Sequence, residues 1–236
     1  ETRSDAISPV VIHFAPGFAR MPMIALSLLL LLGREERTYD YVEHQAHPEN
    51  HGSPLGCNRA FIRFVSSAYD RQQLKVLDVG GGHGELGVIT KKTLRNASVE
   101  WECIDVVEQI TCKKFDGATL SSYANASKDM VVFNYMMHHA ADTTISLLKE
   151  ARRVSRHYVV LAEDLKSSIK VMNDKLYEHE WHGTFRGDKE WRDLFELLGY
   201  RLVQHHQIDP GCWHGNPHSR STALSWPRAL YVLTVP

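Results

Sequence analysis

The feature that most constrains this chain is the stretch Val76-Leu77-Asp78-Val79-Gly80-Gly81-Gly82-His83-Gly84-Glu85. A short apolar run ends in an acid, and Gly80, Gly82 and Gly84 then fall at every second position. Leu74 to Val79 reads as a buried strand. Gly80 to Gly84 reads as a turn that something can approach closely, because glycine tolerates positive φ and has no Cβ to bar a ligand. Glu85 to Asn96 reads as a helix, so the turn opens onto the unsatisfied N–H groups of a helix start. Strand, glycine turn and helix together make the nucleotide-binding corner of a doubly wound α/β sheet.

The spacing chooses between ligands. The dinucleotide fingerprint is G-x-G-x-x-G, which presents a helix N-terminus to a pyrophosphate. Here it is G-x-G-x-G with Asp78 two residues ahead, and a carboxylate beside the loop suits an ammonium-bearing ligand and repels a phosphate. This pattern resembles the first motif of class I S-adenosylmethionine-dependent methyltransferases. An NAD-dependent oxidoreductase is disfavoured by the same spacing.

Periodicity along the rest of the chain extends the sheet. Leu55, Ala60, Phe61, Phe64, Val65 and Ala68 recur at three and four, which predicts an amphipathic helix ahead of the first strand. Strands follow at Val99 to Ile104, near Cys112 to Phe115, and at Asp129 to Tyr135, whose continuous apolar run suits a parallel strand covered on both faces. Ala141 to Arg156 reads as a helix with Ile145, Leu147, Leu148, Ala151 and Val154 inward and Arg152, Arg153 and Arg156 near its C-terminus. Tyr158 to Ala162 is the fifth strand. Val171 to Trp181 and Lys189 to Leu198 read as helices, the second closed by Gly199. Arg201 to Ile208 and Ala229 to Val235 are two last strands joined by a long loop rich in Gly, Pro and His. The expected architecture is a Rossmann-like, doubly wound α/β fold with a seven-stranded, mostly parallel sheet and an antiparallel C-terminal hairpin.

Composition sets outer bounds. A formal charge of −1 announces no broad basic field for nucleic acid, although one local pocket can still bind a cap or a flipped base. The four cysteines, Cys57, Cys103, Cys112 and Cys212, contain no C-x-x-C pair. Two lie in or near apolar strand-like segments, which predicts buried thiols in a reducing, cytoplasmic compartment (the host cytoplasm if the chain is viral). Asn96-Ala97-Ser98 and Asn125-Ala126-Ser127 match the glycosylation pattern, which is common by chance. Met21 to Gly33 is the most hydrophobic stretch, too short to span a bilayer, and reads as a buried helix with Pro22 in its first turn. Residues 34–54 are polar and aperiodic, a loop or lid. The expected organisation is residues 1–73 as a helical and lid segment packed on the core. Residues 74–236 form the S-adenosylmethionine-binding domain, with acceptor-side elements in 165–228. The chain starts at Glu1 rather than Met, consistent with trimming or with release from a longer polypeptide.

Asp105 ends the second strand about twenty residues beyond the glycines, where an acid can accept both ribose hydroxyls of an adenosine. Asp116-Gly117 follows the third strand, where a carboxylate can accept from the exocyclic amine of adenine. The run from Phe115-Asp116-Gly117 through Asp129-Met130-Val131-Val132-Phe133-Asn134-Tyr135-Met136-Met137-His138-His139-Ala140 to Leu147-Leu148-Lys149-Glu150-Ala151-Arg152-Arg153-Val154 closely resembles the methyltransferases labelled type 11. The likeness continues to Ala162-Glu163-Asp164 and Trp191-Arg192-Asp193-Leu194-Phe195, and covers residues 74 to 200. It implies cofactor contacts at Asp78, Gly80, Gly82, Gly84, Asp105, Asp116, Gly117 and Asn134, with S-adenosyl-L-homocysteine as the product left behind. The sequence departs from the family where only about ten residues join Asp105 to Asp116, so the helix usual there must be very short or absent.

For chemistry, His138, His139, Glu163 and Asp164 fall at strand carboxyl ends, and histidine is the natural base near neutral pH. The C-terminal third interleaves aromatic with cationic or titratable groups: Tyr177, His179, Trp181, His182, Phe185, Arg186, Trp191, His205, His206, Trp213, His214, His218, Arg220, Trp226 and Arg228. Such a set can stack on a nucleobase and hold phosphates, and Glu163, Glu178 and Glu180 can accept from a guanine edge. Cys212, His214 and His218 have a metal-like spacing but no clear fourth ligand, so no metal is expected. Three readings stand. The favoured one is guanine-N7 methylation of capped RNA, by in-line transfer without a dedicated base. The second is a small-molecule O- or N-methyltransferase with His138 or His139 as base. The third is a methyltransferase-like module that binds partners without catalysis. No membrane partner is expected.

Overall fold

The structure is a computed structural model, and it describes residues 57–68, 73–94, 98–167, 184–208 and 227–235. The expected helix at Met21 to Gly33, the lid at 34–54, the helix at Val171 to Trp181 and the loop beyond Ile208 lie outside the described residues.

In chain order the elements are α1 (Arg59–Ala68), β1 (Gln73–Val79), α2 (Glu85–Thr93), β2 (Ser98–Asp105), β3 (Lys113–Lys114), β4 (Lys128–Asn134), α3 (Thr144–Val154), β5 (Ser155–Asp164), α4 (Asp188–Leu197), β6 (Arg201–Ile208) and β7 (Arg228–Thr234). The strands form one seven-stranded sheet in the order β3-β2-β1-β4-β5-β7-β6. β1 to β5 run parallel, and β7 lies antiparallel between β5 and β6. This is the doubly wound sheet with a C-terminal antiparallel pair that the sequence predicts.

Alternation along the strands explains the two cores. Leu74, Val76, Met130, Val132, Val160, Ala162, Leu230 and Val232 face α1 and the start of α2, where Phe61, Phe64, Val65 and Leu86 complete the layer. Leu77, Val79, Val131, Phe133, Val159, Leu161, Tyr231 and Leu233 face the other way, onto Leu147, Leu148, Ala151 and Val154 of α3 and Trp191 and Phe195 of α4. Side chains of successive strand residues point to opposite faces, so a strand covered on both sides must be apolar throughout.

Several local expectations are corrected. The helix after β1 stops at Thr93 rather than Asn96, and the segment expected to be helical from Ala141 opens with a 3-10 turn before α3 begins at Thr144. Ile145 is 46% exposed instead of inward, because α3 starts later and its buried stripe is Thr144, Leu147, Leu148, Ala151 and Val154. Arg156 is not helical: Ser155 already begins β5, and the Arg156 guanidinium donates to Asp129 Oδ1 at 3.0 Å. Arg153 serves the loop before β4 rather than a helix dipole alone. Its guanidinium donates to the carbonyls of Leu120 and Tyr123, to Asn125 Oδ1 and to both oxygens of Glu150.

The cysteine expectation is also overturned. Cys103 and Cys112 form a disulfide, Cys57 is disulfide-bonded as well, and no described cysteine is a free thiol. Cys103 lies two residues before the end of β2 while Cys112 directly precedes β3, and these strands are neighbours. The missing helix brings the two Cα atoms to 4.5 Å. Spacing in sequence does not show this closeness, and the argument from thiols to a reducing compartment falls with it. Among the described residues no helix is long and apolar enough to cross a membrane.

Candidate active site

The strand order reverses between β1 and β4, because the chain winds from β1 outward to β2 and β3 and then returns to the other side. In open α/β sheets ligands bind outside the carboxyl ends of the strands at this switch point. The glycine corner follows β1 here, and the turn Asn134 to Ala140 follows β4.

Gly80, Gly82 and Gly84 all adopt positive φ, at 71°, 55° and 72°. Gly80 shows why no larger residue fits, since a Cβ there would lie 2.8 Å from Cβ of Met136 in the turn after β4. The corner is tied to β2 by its backbone: the N–H groups of Gly80 and Gly81 donate to Ile104 O at 2.7 and 3.3 Å. Asp105 completes the link, accepting from Gly82 N at 2.9 Å through Oδ2 and from Val107 N at 3.0 Å through Oδ1. Asp105 thus stands at the strand end beside the glycines, and its oxygens hold the loop in place.

Asp78 is fully buried. Its Oδ2 accepts from the Trp101 indole at 3.2 Å, while Oδ1 has no hydrogen-bond partner. Burial pushes the Asp78 carboxyl up to about 7; the Trp101 bond opposes that rise and the nearby Asp105 charge adds to it. A buried acceptor without a donor is costly unless a ligand or solvent supplies one. Trp101 was not singled out in the sequence, and its place across β2, at separation 23, has no local signal.

Asp116 is exposed and caps its own loop: Oδ1 accepts from the N–H groups of Ala118 and Thr119, and Oδ2 from the Thr119 hydroxyl. These bonds, led by that from Thr119, hold its pKa below the ordinary carboxylate value. Gly117, at φ 76°, passes its carbonyl to the Thr143 hydroxyl at 3.1 Å, joining this loop to the start of α3. Asn134 ends β4 opposite Ala162 and is half-buried.

On the other side of the switch point, β4 and β5 deliver a charged cluster. Glu163, the penultimate residue of β5, is fully buried. One of its oxygens contacts His138 Nδ1 and accepts from Asp164 N, and the other accepts from His138 N at 3.1 Å. The carboxylate therefore fixes both the backbone and the ring of His138. Phe185 stacks on that ring at 4.7 Å, and His139 lies against it at 4.1 Å. Thr184 N donates to His138 O, and Lys166 N to Arg186 O, so the segment from Thr184 to Arg186 runs along the same strand ends. Arg186 sits over the Trp191 ring at 5.0 Å, and burial lowers its pKa against the opposing pull of Glu190 and Glu163.

Asp164, one residue on, faces the opposite side of the sheet and is paired by Arg228 Nε at 2.6 Å; both are buried. Arg228 lies over the Tyr135 ring at 5.9 Å, and Tyr135 takes φ 56°, a left-handed conformation uncommon outside glycine. Burial, with Asp164 next, raises the Tyr135 pKa well above its ordinary value. The structure thus brings His138, His139 and Glu163 together, and places Asp78, the glycines and Asp105 around the neighbouring corner. Phe185 and Arg228 stood in the sequence only as members of a stacking set; packing gives them these supporting contacts. Among the described residues no group of three or more His, Cys, Asp and Glu side chains is arranged to hold a metal.

No protein-family model and no curated protein sequence matches this chain. Solved structures do match by fold. A protein assigned as a methyltransferase, in complex with the Haloferax volcanii methyltransferase activator, superposes with a TM-score of 0.60 at 14% identity, covering 86% of this chain and 100% of its own. Magnesium protoporphyrin IX methyltransferase from Synechocystis PCC 6803, with bound S-adenosylhomocysteine, gives 0.52 at 12% identity, over 89% of this chain and 94% of that one. A [4+2]-cyclase gives 0.52 at 12% identity, over 79% and 86%. The fold is the Rossmann-like fold of methyltransferases, and the cyclase shows that this fold alone does not name a reaction.

Proposed function

We propose that this chain is an S-adenosylmethionine-dependent methyltransferase that methylates a small oxygen or nitrogen acceptor, with His138 as general base. The observation that carries the acceptor chemistry is the buried contact between His138 Nδ1 and Glu163. The cofactor is supported by the neighbours' fold and by the fit of the corner. Three alternate glycines are held at positive φ, Asp105 stands at the strand end where ribose hydroxyls are accepted, and buried Asp78 Oδ1 lacks a donor that an ammonium can provide. When bound, the cofactor supplies a methyl group on a positively charged sulfur.

The chain's own groups then divide the work. Glu163 accepts from two backbone N–H groups besides the ring, so in this reading its oxygens act as acceptors, the Nδ1 proton points at it and the lone pair of His138 resides on Nε2. In this tautomer His138 takes the acceptor's proton, and Glu163 stabilises the imidazolium so formed. Phe185 and His139 hold the ring plane. Alignment and exclusion of water supply much of the remaining acceleration.

Guanine-N7 methylation of capped RNA draws on the aromatic and basic C-terminal third, and four of its described members are engaged elsewhere. Trp191 is core, Phe185 covers His138, Arg228 pairs with Asp164, and His205 stacks on Tyr231. Tyr177, Trp181, Trp213, Trp226 and the histidines near them lie outside the described residues. A neutral aromatic nitrogen also needs no base, which leaves the dyad without a task. The test is a transfer assay with methyl-labelled cofactor against phenols, catechols, amines and GpppG-ended RNA. Transfer to a small acceptor supports the reading. Transfer to RNA alone overturns it, and cofactor binding without transfer to any acceptor restores the non-catalytic module.

A further inference from the structure

The disulfide lies where the cofactor site is made. Cys103 sits opposite Asp78 in the β1–β2 register and two residues before Asp105, on the same face of β2. Its bond to Cys112 closes the segment 104–111, which contains Asp105 and takes the place of the absent helix. The clasp also touches the glycine loop at both ends. A Cβ on Gly81 would come 2.5 Å from Cys103 Sγ, and one on Gly84 would come 3.7 Å from Cys112 Sγ. Thr111, next to Cys112, donates its hydroxyl to His83 O at 2.6 Å, and Gln109 N donates to Cys112 O at 3.0 Å. Asp105 in turn spans Gly82 N and Val107 N, one inside the loop and one inside the bridged segment. Ile104 and Asp105 are held in β2, but beyond them residues 106–111 are tied by that covalent bond and a few backbone and hydroxyl hydrogen bonds, and the Val106 and Ile110 side chains are exposed.

We propose that the Cys103–Cys112 disulfide is a positioning clasp that fixes Asp105 and the glycine loop for the adenosine half of the cofactor, so that cofactor affinity depends on the oxidised state. The proposal rests on the S-adenosylmethionine reading. Cleavage needs a dithiol reductant. One thiolate of the reductant attacks a protein sulfur and forms a mixed disulfide, and its second thiolate then expels that sulfur. The reductant leaves as a disulfide, while two electrons and two protons reside on Cys103 and Cys112 as thiols. Freed of the bond, residues 106–111, which include the Val107 N–H that holds Asp105 Oδ1, regain conformational freedom that binding must remove again.

The experiment measures the Kd of S-adenosylhomocysteine by calorimetry, before and after treatment with a small dithiol. Alkylation and mass spectrometry report which cysteines have opened, and a melt confirms that the protein stays folded. The Cys57→Ala background removes the disulfide at Cys57, and the Cys103→Ala/Cys112→Ala variant repeats the test without reductant. Reduction and the double variant are each expected to raise Kd on the order of tenfold. In Asp105→Ala the same reduction should cost less than about threefold, because a group acting through Asp105 loses its effect when that residue is gone. Equal Kd in oxidised and reduced folded protein overturns the clasp, as does an undiminished effect in Asp105→Ala. Oxidised protein that binds no S-adenosylhomocysteine overturns the cofactor reading itself and the clasp with it.

Discussion

The two halves of the sheet's carboxyl edge are built from different materials. On the β1–β2 side the loop itself is held mostly by backbone: glycine N–H groups, strand-end carbonyls, and the Asp105 carboxylate on main-chain donors, with the Asp78–Trp101 bond and the Cys103–Cys112 disulfide beside it. On the β4–β5 side it is done by side chains meeting across long separations: His138 with Glu163, Asp164 with Arg228, Phe185 over His138. A backbone cradle suits the cofactor proposed for this corner. A side-chain cluster is the part that can be rewritten for each acceptor. The difference predicts that perturbing one half changes cofactor affinity, while perturbing the other changes turnover or stability.

The largest effect should come from His138→Gln. It should lower kcat by about 100- to 10,000-fold, the usual range for losing a general base, and leave S-adenosylhomocysteine binding within about twofold. Equal losses in both quantities break the division between the halves. Next is Arg228→Met, which removes the buried guanidinium that donates to Asp164 Oδ1. Chemical denaturation should show about 3–5 kcal/mol of lost stability, and an unchanged midpoint would mean that the pair is dispensable.

Gly80→Ala tests the backbone side. It forces alanine into φ 71° and against Met136, so affinity for S-adenosylhomocysteine should fall about thirtyfold, or about 2 kcal/mol. Met136 belongs to the turn after β4, so a comparable loss of kcat would show the two halves to be mechanically joined.

The smallest effect is a pH dependence. With its folded pKa raised from 3.8 to about 7, Asp78 contributes stability to the ligand-free protein that is complete below about pH 4 and lost as pH rises through about 7. A ligand that presents an ammonium prefers the ionised form. Affinity should therefore rise about tenfold between pH 5.5 and 7.5 and stay flat in Asp78→Asn. A flat profile in the unaltered protein would place Asp78 outside the ligand's reach.

The same contrast explains what could be read from the sequence. The glycine corner, the strands from β1 to β7 and the closing glycine at Gly199 are local patterns, and most appear within a residue or two of their expected place; β3 shrinks to Lys113–Lys114, and β5 starts three residues early, at Ser155. Asp105 was legible because a strand end is a local event. The Cys103–Cys112 bond was not, because it depends on a helix that is missing between two neighbouring strands. Nor was the packing of Trp191 and Phe185: an aromatic residue looks the same in sequence whether it covers a histidine, fills a core or awaits a base. Ile145 misled for a related reason, since shifting the start of α3 by a few residues turns an inward position outward.

The position of β7 between β5 and β6 has a consequence for how the molecule assembles. β6 is made before β7 yet pairs only with it, so β6 has no place in the sheet until the last strand arrives. Asp164 waits for Arg228 across 64 residues. The β5 edge of the sheet is therefore completed last, when β7 brings Arg228 to Asp164 and gives β6 its partner.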